Sequence, residues 1–415
     1  MKNVYIIGSY STQFKKWPEL THKDLTRDAY LNVLKDAGME DGREIEFAWF
    51  GNCFINSWGQ SNIQGQVCFI PLVREKLFPE RVPLINVEGG CATASMALHG
   101  AWKDILSGQC NLSLAMGVEK VFFPGDREKT FRQYEQGIDQ FDKEEWISEY
   151  EEAGRISGVP FEMGENRTVF MDTYAMQACY HMSKYGTTQR QIAIGAAKNH
   201  TNGSLNPKAQ YQFAMTTEEV LNDRIVSYPL TRSMCSPVGD GAAAALVCSE
   251  EYFKGLPKRT KERAVKLAAS VLTGGKYRKF DEPSLSKVGA DKAYEMAGIG
   301  PEDIDVAEVH DATSFCEIYQ SEMLGFCPIG EGGKFIESGS TFLDGKLPIN
   351  TSGGLVSKGH PVGATGLSMI YELVTQLREE AGPRQVKNAE FAIQENGGGV
   401  IGLEEAACSI IILQR

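Results

Sequence analysis

Little in this 415-residue chain points to a membrane, a nucleic acid or an oxidising compartment. No run approaches the roughly 20 apolar residues of a membrane span. The opening MKNVYIIGSY has only a short apolar stretch, too brief for the h-region of a signal peptide. The closing IILQR shows no address signal. Ten cysteines are scattered without a CxxC pair or the spacing of a disulfide framework, which fits a reduced, cytoplasmic setting better than secretion. These cysteines and the six histidines show no metal-ligand spacing, so no metal site is expected in this chain. Basic residues are outnumbered, 42 against 54, for a formal net charge of −12. That argues against nucleic acid or an anionic membrane as the main partner. A small anionic ligand at a local basic or helix-terminal site stays compatible with it.

What the chain does have is repetition. AYLNVLKDAG at Ala29 and AYEMAGIG at Ala293 both read as a helix ending in an Ala-Gly turn. PLINVEGG ends at Gly90 and LPINTSGG ends at Gly354, separated by the same interval. A helix-forming run with Ala-Thr at its start follows each Gly-Gly. Two landmarks with one offset imply a duplication. Strand-like runs such as VYIIG, LSLAMGV, AAALVCS and CSIIIL alternate with amphipathic helices, the pattern of layered α/β sheets. The expected organisation is two homologous α/β halves, residues 1–250 and 255–415. An acidic, aromatic insert at about 122–215 interrupts the first half and is a candidate lid over a substrate pocket. Within it Phe161, Phe170, Tyr174 and Tyr180 are either pocket lining or the core of the lobe.

Four stretches carry chemistry. In VEGGCATASMALHG, Cys91 follows two glycines and precedes a helix of small residues. A helix N-terminus favours the thiolate, and glycines permit close backbone approach. In NTSGGLVSKGHPVGATG, a single histidine, His360, sits among glycines in the equivalent segment of the second half. If the halves pack about a pseudo-dyad, the two face each other as a nucleophile and its base, a pair that yields a thiolate near neutral pH. His310 in EVHDATSFCEIY follows an apolar strand and is placed to reach a ligand. QENGGGVIG ends a strand in glycines, which suit backbone N–H groups aimed at an oxyanion and equally a tight turn.

Together these segments resemble the thiolase superfamily, and EVHDAT is similar to the His-Asp motif of its lipid-transfer and archaeal members. The resemblance spans nearly the whole chain. It implies a thiolase-like, duplicated five-layer αβαβα fold, usually dimeric. It makes Cys91 the acylated nucleophile and His360 the group that activates Cys91 and the coenzyme A thiol. His310 would help form one oxyanion site, and the N–H groups of Cys91 and Gly397 a second. Ser236, Gly353 and Gly354 match segments that line the coenzyme A pantetheine. One departure stands out. The second cysteine of the family's Cys-x-Gly motif is replaced by Glu395, and the alternative cysteine of the His-Asp-Cys-Phe motif by Ala312. Glu395 is therefore the candidate acid/base, since a buried carboxyl can have its pKa raised.

The implied activity is cleavage of a β-ketoacyl-CoA by coenzyme A, a substrate rather than a cofactor. The reading is degradative, with a bulky or aromatic acyl group such as that of benzoylsuccinyl-CoA. Three alternatives stay open: an acetoacetyl-CoA-forming thiolase, a thiolase-fold aldolase acting on a β-hydroxyacyl-CoA, and a non-catalytic acyl-CoA-binding subunit. Relatives of this type imply a homodimer core with a small, separately encoded zinc-ribbon/OB-fold partner.

Overall fold

Short β-branched or alanine-rich runs become strands, and the longer amphipathic runs between them become helices. The structure is a computed structural model that describes residues 2–415. Nine strands form one mixed sheet: β1 (Val4–Ser11), β2 (Phe47–Gly51), β3 (Leu84–Val87), β4 (Leu112–Glu119), β5 (Gly241–Ser249), β6 (Val265–Gly274), β7 (Val306–Val309), β8 (Phe391–Gly398) and β9 (Ala407–Gln414). Their order is β3-β2-β4-β5-β1-β6-β9-β8-β7. Read outward from the centre, β1-β5-β4-β2-β3 mirrors β6-β9-β8-β7, and a parallel bridge from Ala307 to Ile349 supplies the missing tenth position. The duplication is thus written in the strand order. The join is antiparallel, with Tyr5 opposite Lys266 and Ile6 opposite Val265.

The helices layer onto the sheet as their apolar stripes require. Helices α1 (His22–Ala37) and α2 (Gln64–Arg74) cover the outer face of the first half, packing Leu25, Tyr30 and Phe69 on Leu114 and Leu246. Helix α3 (Thr93–Ser107) lies between the two halves of the sheet. The lobe between β4 and β5 is helical: α4 (Lys143–Ser157), α5 (Val169–Tyr185) and α6 (Gln189–Ser204). Helix α7 (Leu285–Ala297) covers the outer face of the second half, and α8 (Ser314–Met323) packs on the lobe. Helix α9 (Thr365–Leu377) joins α3 in the centre, where Leu98, Ile105, Leu367 and Leu373 share one core with strand residues of both halves. The arrangement is five layers, αβαβα. Fully burying each such side chain contributes roughly 1.5–3 kcal/mol. Among the described residues no helix is long and apolar enough to cross a membrane.

The repeat has one irregularity with consequences. Gly90 leads through a single turn, Gly90–Ala92, straight into α3. After Gly354 an extra short helix, Gly354–Lys358, and the turn through His360 come before α9 begins at Thr365. The Gly-Gly pairs are therefore not structural equivalents at the catalytic helices. The Ala-Thr pairs Ala92-Thr93 and Ala364-Thr365 are. The extra residues are what carry His360 across to Cys91.

Candidate active site

Cys91 sits in the turn that launches α3. Gly90 has φ 56, and a side chain there would meet the Gly399 backbone nitrogen at 2.5 Å. The turn is pinned by Thr93, whose hydroxyl accepts the Gly89 N–H at 2.8 Å. Behind it, buried Glu119 accepts N–H groups from Cys53 and Gly363, each at 3.0 Å, tying the first-half loop to the His360 loop.

His360 Nε2 is 3.1 Å from Cys91 Sγ. His360 Nδ1 lies 2.7 Å from Thr365 Oγ1, and that hydroxyl donates to the Pro361 carbonyl at 2.9 Å. With its proton so used, Thr365 accepts from Nδ1–H. The network thus assigns the tautomer that leaves an Nε2 lone pair facing the thiol. His310 stands beside them, its ring 5.3 Å from that of His360 at 63°. It is 1% exposed, and neither of its ring nitrogens has a partner among the described residues. A buried unpartnered donor is costly, and a substrate oxygen would satisfy it.

The charge states differ from the sequence expectation of a ready thiolate. Burial pushes the Cys91 thiol up to about 12, helped by the Glu405 charge. Burial also holds His360 well below its ordinary value, with His310 and Lys358 adding to the effect, and drops His310 to about 4. The resting pair is therefore thiol and neutral imidazole, and the proton moves as the sulfur attacks. Because the raised thiol leaves the thiolate fraction climbing tenfold per pH unit, alkylation of Cys91 by iodoacetamide should accelerate continuously from pH 6 to pH 9. A plateau near neutrality would contradict this.

Cys91 and His360 open into a cavity of about 190 Å³. The insert supplies its aromatic wall, Phe131, Tyr134, Phe170 and Tyr174, and Ser236 also lines it. Arg127, Arg167, Arg224 and Arg232 also line it. Arg167 pairs with Asp172 at 2.6 Å and Arg232 with Asp223 at 3.1 Å. The four aromatics singled out in the sequence divide. Phe170 and Tyr174 line this cavity. Phe161 stacks on Tyr150 in the lobe core, and Tyr180 stacks on Phe280 in a neighbouring cavity of about 280 Å³.

Several expected site residues are placed elsewhere. Glu395 faces the outer layer, because strand alternation turns Gln394 and Asn396 toward Ser95 of α3 and Glu395 away from it. Its carboxylate accepts from Ser286 Oγ at 3.2 Å and from the His310 backbone N–H at 3.1 Å. Gly397 is covered by the Glu405 side chain, and Gly399 is the glycine that lines the cavity. Gly353 and Gly354 are buried and do not line this cavity. Side chains there would strike the Gly203 Cα at 2.7 Å and Asp311 Oδ2 at 2.3 Å. Asp311 instead fastens that loop, accepting the Leu355 N–H at 2.6 Å. Unforeseen from the sequence is the buried support underneath. Lys198 ion-pairs with Glu317, and Asn199 bridges Glu317 and Asp311 at 2.9 and 2.8 Å.

Linear spacing gave no metal ligand set, yet three separate loops assemble one. The donor atoms of Cys91, His310 and His360 lie within 4.8 Å of one another. A sulfur and two imidazoles suit zinc or cadmium. Cadmium should therefore inhibit and produce a thiolate-to-metal ultraviolet band, and Cys91→Ala should abolish that band.

The glycines at the end of β8 are a steric requirement. A Cβ at Gly398 would lie 2.2 Å from Gly89 O, 2.3 Å from Ala92 N and 2.7 Å from Cys91 N, all backbone atoms. Gly398→Ala must displace the Cys91 turn. Since a shift of about 1 Å can cost on the order of 10²-fold, kcat should fall by that order. Gly255→Ala, where an added Cβ meets nothing within 4 Å, is the matched control.

A cysteine hydrogen-bonded to a histidine between two pseudo-equivalent α/β halves defines a class of acyl-transfer enzyme. Comparison with known proteins gives the family. The thiolase N-terminal domain matches residues 4–220, and the thiolase C-terminal domain-like family matches residues 282–414. The chain is 34% identical over 407 residues to an acetyl-CoA acetyltransferase of Methanothermobacter thermautotrophicus, covering 97% of this chain and 98% of that one. It is 30% identical to the benzoylsuccinyl-CoA thiolase subunit BbsB of Thauera aromatica, covering 93% and 92%. In fold it is similar to the Ltp2-ChsH2(DUF35) aldolase, with a TM-score of 0.76, 21% identity and coverage of 99% and 97%. It is also similar to human mitochondrial 3-ketoacyl-CoA thiolase in complex with CoA, with a TM-score of 0.67, 16% identity and coverage of 100% and 98%. The chain belongs to the thiolase family, and it is an acyltransferase.

Proposed function

We propose that this thiolase degrades a β-ketoacyl-CoA whose acyl group is bulky or aromatic, of the benzoylsuccinyl-CoA kind, using coenzyme A as second substrate and no cofactor. The observation that carries the reading is the aromatic wall of Phe131, Tyr134, Phe170 and Tyr174 over a Cys91 already hydrogen-bonded to its base. Cys91 attacks the keto carbonyl and passes its proton to His360 Nε2. The unpartnered His310 ring donates to a substrate oxygen as negative charge develops. The carbon–carbon bond breaks, leaving an acyl-enzyme and the enolate of the departing acyl-CoA. Coenzyme A then resolves the thioester in a ping-pong cycle. Ser236 and the four arginines of the cavity suit the pantetheine and phosphates of the carrier. His310, His360 and Cys91 are all retained, which favours a thiolase over an aldolase or a non-catalytic binding subunit.

The partner expectation has its own support. BbsB is named as a subunit, and the aldolase of similar fold is a complex with a DUF35 protein. A small zinc-ribbon/OB-fold subunit is accordingly proposed here too. Strand β3 ends the sheet with Ile85 exposed, and Ile63 and Ile70 are exposed at the start of and within the adjoining helix α2, which supports a homodimer across this edge. Ten free cysteines fit a reduced, cytoplasmic setting.

The test is intact-protein mass spectrometry after mixing with acetoacetyl-CoA and with benzoylsuccinyl-CoA, alone and with the co-purified partner. A benzoyl adduct on Cys91 supports the aromatic reading. An acetyl adduct alone supports the acetoacetyl-CoA alternative. No adduct with either sinks both.

A further inference from the structure

Cys91 opens into a second cavity besides the one described above. This chamber, of about 300 Å³, is lined by Cys53, Phe54, Asn56, Gln64, Glu88 and Gln136 among others. Cys91, Tyr134, Phe170 and Gly399 line both cavities, so the nucleophile stands where they adjoin. We infer that the arginine-lined cavity holds the coenzyme A side of the substrate and that this second chamber holds the acyl group left on Cys91, which must be uncharged and about the size of one ring. The inference rests on the thiolase reading above.

The attacked keto carbon carries two substituents. One is the acyl residue, which stays on the sulfur. The other is the α-carbon, which departs with the coenzyme A thioester. They point away from that carbon in different directions, and the two cavities beside Cys91 offer one space to each. Charge decides which is which. The first cavity has four arginines and no carboxylate along its lining, and the phosphates of coenzyme A are matched by such cations. The second has no lysine or arginine along its lining, and its one carboxylate is Glu88. Glu88 Oε1 accepts the Gly90 N–H at 2.7 Å, which ties the charge to the turn that carries Cys91. That charge reaches the sulfur, adding to the rise that burial gives the thiol. An acyl group bearing its own carboxylate would meet Glu88 with no cation to offset it, a repulsive element that discriminates against anionic acyl groups.

The rest of the lining suits a neutral ring. Phe54 is 5% exposed, and its ring lies edge-on to that of Tyr134 at a centroid distance of 5.2 Å. Phe170 and Val362 pack in the same apolar cluster. Cys53 adds a thiol that burial keeps protonated, donating to the Gly90 carbonyl at 3.2 Å. The Asn56 amide donates to Gln136 Oε1 at 2.9 Å on the exposed side of the chamber. A volume of about 300 Å³ lies at the low end of ligand pockets, roughly 300–1,000 Å³, and suits one ring better than a long chain or a fused ring system.

Three probes read the chamber through the mass of the adduct on Cys91. Acetoacetyl-CoA leaves acetyl, benzoylacetyl-CoA leaves benzoyl, and 3-oxoadipyl-CoA leaves succinyl, which is anionic. With the wild type, the benzoyl adduct should form about 10-fold faster than the succinyl adduct, or more. Glu88→Gln, which keeps an oxygen for the Gly90 N–H, should narrow that preference by at least about threefold. Gln136→Trp fills the chamber from its exposed side and should lower the benzoyl-to-acetyl ratio by about 10-fold. Gln64→Trp fills it from α2 and gives the same reading if Gln136→Trp does not fold. Phe131→Trp, in the arginine-lined cavity, should raise the KM for coenzyme A without lowering that ratio. A succinyl adduct as fast as the benzoyl one, or a preference that survives Glu88→Gln in full, overturns the inference. So does a benzoyl-to-acetyl ratio lowered by Phe131→Trp and not by Gln136→Trp or Gln64→Trp, which would put the acyl group among the arginines. If the wild type forms no adduct with any of the three, the failure is that of the thiolase reading.

Discussion

Cys91→Ala is expected to abolish the acyl adduct and to cut turnover by about 10⁴-fold or more, and the double variant Cys91→Ala/His360→Ala to be no slower than Cys91→Ala alone. The reason is that the two side chains form one device. His360 Nε2 is 3.1 Å from Cys91 Sγ. The thiol, held up at about 12, loses its proton only to that nitrogen. Removing His360 alone leaves a protonated, buried sulfur, so His360→Ala should lose about 10³-fold and regain rate at high pH, where hydroxide replaces the base. The check is kcat/KM for all three variants against a β-ketoacyl-CoA, with intact mass to score the adduct. A double variant slower than Cys91→Ala by a further 10³-fold would mean that His360 acts on the coenzyme A thiol independently of Cys91.

How much of this was legible depended on the reach of each signal. Cys91 and His360 stood out because a reactive side chain flanked by glycines and small residues leaves a local mark. The duplication stood out because two landmarks shared an interval, although that interval fails at the catalytic helices, where the segment around Gly354–Lys358 intervenes. Only its position in a motif points to Glu395. Strand alternation, a period-two property, sends it outward once Gln394 and Asn396 are fixed inward by Ser95. Gly353 and Gly354 carry the glycine mark for another reason, the close approach of α6 and Asp311. The Cys91–His310–His360 donor set leaves no local pattern, because it depends on loops distant in sequence meeting at one point.

The support beneath the site should matter as much for stability as Cys91 does for rate. Lys198 and Glu317 are 1% and 0% exposed at their side chains, and they pair directly. Lys198 also donates to the Ile349 carbonyl at 2.6 Å. Glu317 holds Asn199 at 2.9 Å, and Asn350 of the same cluster accepts the Val309 N–H at 2.9 Å, next to His310. Glu317→Ala would leave an ammonium buried without its counter-charge. Breaking one side of a buried pair costs about 3–5 kcal/mol, a large share of the stability of a typical domain. Denaturant unfolding should register that loss, and the same cluster predicts lower kcat in whatever folded fraction remains, since the strand end before His310 loses its anchor. Lys198→Met/Glu317→Met, which removes both charges and keeps the volume, should recover most of the stability. If Glu317→Ala costs less than about 1 kcal/mol, the pair is solvated by water reaching α6, and the rigidity of the His310 loop must come from Asp311 and the Leu355 N–H instead.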